Sequence, residues 1–538
     1  MHDKQPNARS ITSVVTRHRL WFPIGAGVLA GLSIALIRLQ PDLERNYQDW
    51  LTFALVLLAV SLGLIWFLFL SRFPGRLRWM TTGLLALLVL SLSQSLRVDG
   101  TRDGTGLPRL AWRWTPPHTL SPPPPAPATS SAAIPVAGLP DVPQFFGPNR
   151  DGIVKGAGLA RDWRQTPPKQ LWRQPIGAGW SSFAVVAGRA YTQEQRENKE
   201  AVTCYDLRTG RLLWTHTDDA RFFQWQGGEG PRATPTIANG HVFALGATGI
   251  LNCLDAAIGQ RLWSREVLKE NELENLTYGV SCSPLVFDDT VVVTGGLTSG
   301  PTIIAYRLST GEPLWRSGRD KASYASPVLA SLAGRRVVLS VNARSLTAHD
   351  PLSGDLLLDR PWADDSRPKA SQPVVLEKDR VFLSAGYGLG CVLLEVKAGA
   401  DGKLAAKELW KNLRMKTQFN SAAARDGFLY GLDDGLLACV EINTGERKWK
   451  SGRYGSGQTL LVDDLVIIQS EPGAVALAEA KPEAFNELGR IPALSSKTWN
   501  HPTLAGRYLL LRNDREAVCY ELPSQGTTPT NQAKDGGP

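Results

Sequence analysis

The chain has 538 residues, of which 43% are hydrophobic and 20% charged, and a formal net charge of +9. That length holds one large domain plus accessory segments. The positive excess is local: residues 1–113 carry 13 Lys and Arg against 6 Asp and Glu, and the remainder carries 46 against 44. A basic nucleic-acid-binding surface is therefore excluded as the source of the charge, and no nucleic-acid partner is expected.

In chain order, residues 1–19 form a basic leading segment with Lys4, Arg9, Arg17 and Arg19. Three apolar stretches follow, Trp21–Ile37, Leu51–Leu70 and Met80–Leu96, and the second is free of charge. At ~1.5 Å per residue a helix of that length spans a hydrocarbon core of ~30 Å. Three stretches in succession are not one cleaved signal peptide, so residues 20–98 are expected to form an integral membrane anchor of three transmembrane helices. Arg72, Arg76 and Arg78 lie between the second and third stretches. Between the first two, Arg38 and Arg45 are offset by Asp42, Glu44 and Asp49. The positive-inside rule then leaves the N-terminus in the cytoplasm and everything after Leu96 outside it. In a bacterium this is an inner-membrane protein facing the periplasm. Residues 99–142, with the run Thr115-Pro-Pro-His-Thr-Leu-Ser-Pro-Pro-Pro-Pro-Ala-Pro, read as a semi-rigid linker. Residues 524–538 read as a disordered tail.

Residues 143–523 carry a repeated phrase. It appears as Asp206-Leu-Arg-Thr-Gly210-Arg-Leu-Leu-Trp214, Asp255-Ala-Ala-Ile-Gly259-Gln-Arg-Leu-Trp263, Leu308-Ser-Thr-Gly311-Glu-Pro-Leu-Trp315 and Glu441-Ile-Asn-Thr-Gly445-Glu-Arg-Lys-Trp449. An alternating apolar run precedes each copy, the Asp-x-x-Thr-Gly stretch is a turn, and Leu-Trp opens the next strand. A second hairpin lies upstream of each, as in Ile237-Ala-Asn239-Gly240-His-Val and Ala424-Arg-Asp426-Gly427-Phe-Leu. These upstream turns centre on Gly188, Gly240, Asp289, Gly334, Asp379, Gly427, Asp464 and Gly506. Two hairpins per period predict an all-β, eight-bladed β-propeller of four-stranded antiparallel blades. Blade 5 has a long last hairpin from Val396 to Trp410, and blade 7 reads Leu488-Gly-Arg-Ile where a Trp is due. Val518-Cys-Tyr-Glu-Leu lacks a following Leu-Trp strand, while Lys169–Ile176 is a strand with no blade before it. The N-terminal strand is therefore expected to complete the last blade and close the ring.

These phrases, together with Pro143-Gln-Phe-Phe-Gly147-Pro-Asn-Arg-Asp-Gly152, Trp163 and Leu171-Trp172, resemble the quinoprotein-type repeat of PQQ-binding-like propellers. The resemblance covers about Pro143 to Pro523. It implies the propeller fold. Its members include PQQ-dependent dehydrogenases and non-enzymatic scaffolds of the BamB type, so function rests on the site and not on the fold. PQQ enzymes need Ca²⁺ held by carboxylate and amide ligands, a catalytic Asp and commonly adjacent cysteines. This chain has no Cys-Cys pair. BamB-type lipoproteins are anchored by an N-terminal cysteine, and here no cysteine precedes Cys204. The reading is a membrane-anchored binding or scaffolding module for a protein or small ligand, with a periplasmic or membrane protein partner and no required cofactor. The alternative is a dehydrogenase using PQQ with Ca²⁺ and passing electrons to the membrane, supported by the membrane helices that precede the propeller in some glucose dehydrogenases.

Trp214, Trp263, Trp315, Trp410 and Trp449 recur too regularly to be a binding stripe and are expected to pack blade on blade. Cys204, Cys253, Cys439 and Cys519 fall at one position in four blades, too far apart for disulfides. The acid pairs Asp288-Asp289, Asp433-Asp434 and Asp463-Asp464 fall in turns, where Asp is favoured; Asp364-Asp365 is a fourth pair. The candidate site lies at the first strand of each blade, which lines the central channel. One aligned position reads Ser182, Thr234, Ser283, Ser326, Gln372, Ser421, Gln458 and His501, all polar. They form either a ligand-binding ring or a set of blade-to-blade hydrogen bonds. Glu229, Arg232, Tyr278, Tyr324, Asn420 and Trp499 are placed at one mouth of the channel as a binding surface. Arg232 suits an anionic group, or else orders its own loop through Glu229 or backbone carbonyls. No catalytic or metal-binding residue is assigned.

Overall fold

The computed structural model describes residues 20–40, 43–116, 118–121, 138–298 and 300–525. The leading segment 1–19, most of the proline run and most of the tail lie outside the described residues. The chain divides into two compact units, residues 1–117 and 118–538.

In the first unit the apolar stretches form helices α1 (Trp21–Arg38), α2 (Arg45–Ile65, prolonged by one π-helical turn to Leu70) and α3 (Gly75–Ser95). All three are long and apolar enough to cross a membrane. Between their polar ends the side chains are predominantly apolar all round, which suits lipid as the surrounding medium. Pro74 precedes the first residue of α3, where its missing N–H costs nothing. At the facing ends of α1 and α2, Arg38 meets Asp49 at 2.6 Å. Beyond α3 the structure differs from the linker expectation. Leu96–Thr101 and Pro108–Trp112 form an antiparallel hairpin, with Leu96 opposite Trp112 and Val98 opposite Leu110. The alternation Leu-Arg-Val-Asp and Arg-Leu-Ala-Trp is a strand pattern that the neighbouring proline run masks.

The second unit is an eight-bladed propeller. The first strands of blades 1 to 8 are Ala184–Val186, Thr236–Ala238, Leu285–Phe287, Val328–Leu332, Val374–Leu376, Ala423–Arg425, Gln458–Val462 and Thr503–Ala505. Lys169–Pro175 forms the fourth strand of blade 8, antiparallel to Glu516–Glu521 with Trp172 opposite Cys519. The ring closes as the terminal strands implied, and the edge each would leave is paired.

Blades dock by one repeated contact. In blades 1, 2, 3, 5 and 8 a Trp lies over the Gly of the next blade's turn, and its indole N–H donates to a carbonyl in that turn; Trp449 of blade 6 donates likewise to Lys481 O at 2.8 Å over a turn without glycine, and Leu358 holds the Trp position in blade 4. Trp172 donates to Leu207 O at 2.8 Å, Trp263 to Leu308 O at 3.0 Å and Trp410 to Ile442 O at 2.9 Å. Gly210 has φ +72°, and a Cβ there would stand 2.7 Å from the Trp172 ring. The turn needs glycine for its backbone and for the ring above it. In blade 7, Gly489 occupies the Trp position, opposite Leu477. Trp163 from the lead-in segment covers it, with its Cβ 2.7 Å from where a Gly489 Cβ would be, and joins the core of blades 7 and 8. All six cysteines are free and buried. Four of them lie opposite a docking Trp, as Cys204 does opposite Trp214.

Candidate functional site

The eight polar residues at the head of the inner strands lie in the buried wall of the channel. Their hydrogen bonds run from blade to blade. The Ser182 N–H donates to Thr234 Oγ1 at 3.0 Å, the Thr234 N–H to Ser283 Oγ at 2.9 Å and the Ser283 N–H to Ser326 Oγ at 2.9 Å. The Gln372 N–H donates to Ser421 Oγ at 3.0 Å. Ser182 Oγ donates to His501 O across the closure. Gln458 Nε2 donates to the carbonyls of Phe419 (2.8 Å) and Trp499 (2.9 Å), and His501 Nε2 meets Thr459 O at 3.0 Å. Burial lowers the His501 pKa to about 4. The neutral ring then donates its Nε2–H to that carbonyl. This geometry is a latch around the axis that satisfies backbone donors as it joins the blades.

At the turn end of the inner strands the channel is filled by Val142–Val154. Val142 and Val185 exchange both backbone hydrogen bonds, at 2.7 and 2.8 Å, and the Ile237 N–H donates to Pro143 O at 2.8 Å. Arg150 is buried and donates to Pro284 O (2.8 Å) and Ser283 O (2.7 Å). Phe146 stacks edge-on against His501 at 5.0 Å. Ile153 and Val154 pair in parallel with Leu461 and Val462 of blade 7. The segment thus touches the inner strands of blades 1, 2, 3, 7 and 8. Between it and blades 4 to 6 remains a cleft of about 520 Å³.

The opposite mouth carries the aromatic residues. Two positions before each latch residue stand Trp180, Arg232, Ser281, Tyr324, Ala370, Phe419, Ser456 and Trp499. A two-residue step returns to the same side of an extended chain, so these form a second tier above the latch. Trp499 lies 4.8 Å from Trp180 and 5.0 Å from Phe419, ring centre to ring centre. Lys497 Nζ stands 3.9 Å from the Trp499 ring. Across the mouth, Tyr278 and Tyr324 pair at 5.6 Å. All of these side chains are half-buried. Arg232 turns onto its own loop: it donates to the carbonyls of Gly227 (3.1 Å), Gly228 (2.9 Å) and Gly230, over the Phe222 ring. Burial lowers its pKa to about 9, and it stays cationic at neutral pH. Glu229 pairs with Arg221 at 2.9 Å and not with Arg232. Asn420 is buried, its carbonyl accepts from Ser371, and its side-chain oxygen has no hydrogen-bond partner among the described residues.

Trp180, Phe419 and Lys497 extend the expected mouth. The first two were accessible from sequence through the two-residue step. The acid pairs serve the fold: Asp433 is held by Lys416, Arg447 and Lys450 at 2.7–3.3 Å, and Asp463 accepts the N–H groups of Gly156, Ala157 and Gly158. Among the described residues, no group of three His, Cys, Asp or Glu side chains is placed to hold a metal ion.

A family model described as outer membrane protein assembly factor BamB matches residues 161–277 and 198–451. The chain is 21% identical over 312 residues to the outer membrane protein assembly factor BamB of Burkholderia pseudomallei, covering 56% of this chain and 76% of that protein. Among solved structures, the quinohemoprotein alcohol dehydrogenase of Comamonas testosteroni matches with a TM-score of 0.52 at 13% identity, covering 73% of this chain and 82% of that one. BamB of Moraxella catarrhalis matches with a TM-score of 0.49 at 15% identity, over 66% and 100%. Similarity at this level concerns the fold.

Proposed function

Because the chain belongs to the BamB family of PQQ-repeat propellers, we propose that it is a membrane-anchored binding module whose aromatic mouth receives a protein segment outside the cytoplasm. The observation that carries this reading is the second tier. Trp180, Phe419, Trp499 and Tyr324 of that tier, with Tyr278 packed on Tyr324, are half-exposed, Lys497 lies against Trp499, and the latch beneath supports them. Rigid aromatic side chains give contact area at little conformational cost, and they mark the centres of protein interfaces. Lys497 adds attraction for a carboxylate on the partner. The arginine distribution around α1–α3 supports a periplasmic propeller.

The mouth does not fit PQQ with Ca²⁺. The latch tier offers no carboxylate, and the side chains of Ser182, Thr234, Ser283, Ser326, Ser421, Gln458 and His501 are engaged between blades. Glu471, the acid beside Trp499, accepts from the indole N–H at 2.7 Å and from the Ser456 N–H at 3.0 Å. No chemical step is assigned.

Site-specific photo-crosslinking in cells tests the reading. A benzophenone side chain at Tyr278 or Phe419 should trap a discrete extracytoplasmic or membrane protein. One at Asp426, on the opposite end, should not. Trp499→Ala should reduce the Tyr278 adduct at least tenfold with expression unchanged. Equal adducts from both ends, or Ca²⁺- and PQQ-dependent alcohol or sugar oxidation by the purified chain, would overturn it.

A further inference from the structure

The hairpin Leu96–Trp112 has an apolar face that the described residues leave largely uncovered. Its register places Leu96, Val98, Leu110 and Trp112 on one side. Val98 is 50% exposed, Leu110 58% and Trp112 44%; Trp114, stacked on Trp112 at 4.9 Å, is 68% exposed. The other side is polar, with Arg97 and an Arg109–Asp99 ion pair at 3.0 Å. An isolated two-stranded hairpin is marginal in water, and this one leaves its better packing surface open.

Two contacts identify what covers that surface. The hairpin's base is the end of a candidate membrane span: Leu96 follows Ser95 directly, Trp112 is its cross-strand partner, and the Arg113 N–H donates to Ser95 O at 2.8 Å. Its tip is tied to the start of another, since Trp50 Nε1 donates to Thr105 O at 3.0 Å. In successive crossings, the start of α2 and the end of α3 lie at the same membrane surface. A hairpin attached to that surface at both base and tip, about 20 Å apart for strands of this length, runs along it. Trp at the hydrocarbon boundary and Arg at phosphate level is the composition that such a position favours. Arg113 uses its Nε on Leu96 O at 3.2 Å, and its guanidinium has more donors than that bond employs.

We propose that this hairpin is an interfacial belt, resting on the membrane reading of α1–α3. Leu96, Val98, Leu110, Trp112 and Trp114 lie at the headgroup–acyl boundary of the leaflet where α3 ends, and Arg97 and Arg113 face lipid phosphates. The chain leaves the bilayer at Ser95, lies on its surface, and departs for the propeller only after Trp114.

The test uses the full-length protein in nanodiscs of phosphatidylethanolamine and phosphatidylglycerol. Photo-reactive benzoylphenylalanine is placed singly at Leu57, Arg109, Leu110 or Trp114, and lipid adducts are read by intact mass. Adducts at Leu57 report that α2 is in lipid. Adducts at Leu110 and Trp114 several times those at Arg109 are the expected result. Adducts at Leu57 with none at Leu110 or Trp114, or crosslinks from these positions to propeller peptides or to a second copy, overturn the belt while leaving the anchor intact. No adduct at Leu57 overturns the anchor, and the belt with it.

Discussion

Trp163 and Trp172 are both buried, at 2% and 8% exposure, and both cover a glycine. They differ in one atom's environment. Trp172 Nε1 donates to Leu207 O at 2.8 Å, whereas Trp163 Nε1 finds no partner among the described residues. Removing either indole to Ala exposes a cavity of similar size. At about 25 cal/mol per Å² over the ~200 Å² that a Trp buries, the transfer loss is ~5 kcal/mol. With partial collapse, both Ala variants should lose about 3–5 kcal/mol. Phe separates them. Trp172→Phe leaves the Leu207 carbonyl buried and unpaired, a cost of about 1–3 kcal/mol beyond the lost ring area. Trp163→Phe removes an unpaired donor, which offsets much of that area. We expect Trp163→Phe to cost under about 1 kcal/mol and Trp172→Phe about 2–3 kcal/mol. Urea unfolding of the full-length protein in detergent, followed by circular dichroism of the sheet, reads both. Equal costs for the two Phe variants, or the reverse order, would refute the reasoning.

Burial lowers the pKa of His349 and of His501 from 6.5 to about 4. Below pH 6.5 the unfolded chain binds protons that the folded one refuses, so their contribution is whole above 6.5 and declines as pH falls toward 4. The sum approaches a few kcal/mol; unfolding midpoints from pH 7.5 to 4.5 should fall, and His501→Gln should flatten part of that fall. Alkaline phosphatase fused after Gly138 should be active, with a cytoplasm-only reporter silent there; the opposite pattern would reverse the orientation. Deleting residues 1–176 should leave blade 8 with three strands and give aggregates or a far lower melting temperature than deleting residues 1–137; equal melting would show that closure does not need Lys169–Pro175.

The blades were readable because each signal is local. Asp206 and Gly210 make a turn within five residues, and Trp214 declares the strand that follows. Closure was readable because two incomplete ends had one mutual solution. Trp163 was not, since the glycine it covers lies more than 300 residues away and nothing in Arg161-Asp-Trp-Arg marks its destination. The channel filling was missed for the same reason: Pro143–Gly152 stood out as a motif, but its place depends on five different blades. At the mouth, the period of two exposes Trp180 and Phe419 once the latch position is known. Arg232 could not be assigned from spacing, because Glu229 and three backbone carbonyls lay equally near in sequence.

The route of the chain into the propeller has a mechanical consequence. It is held first at His118, whose Nε2 meets Ile176 O at 3.2 Å, and at Ser121, which donates to Glu197 at 2.6 Å; then at Asp141 by the Ala187 N–H (2.9 Å), at Val142 and at Pro143, and it continues through the axis to Val154. A pull on the tether therefore loads the bonds to Ile176 and to Arg196 and Glu197 of blade 1 first, and the hub bonds one after another behind them. Such a series yields one bond at a time. A propeller fastened this way keeps the segment Val142–Val154 in reserve along the chain, between the tether and the strand that carries Trp172.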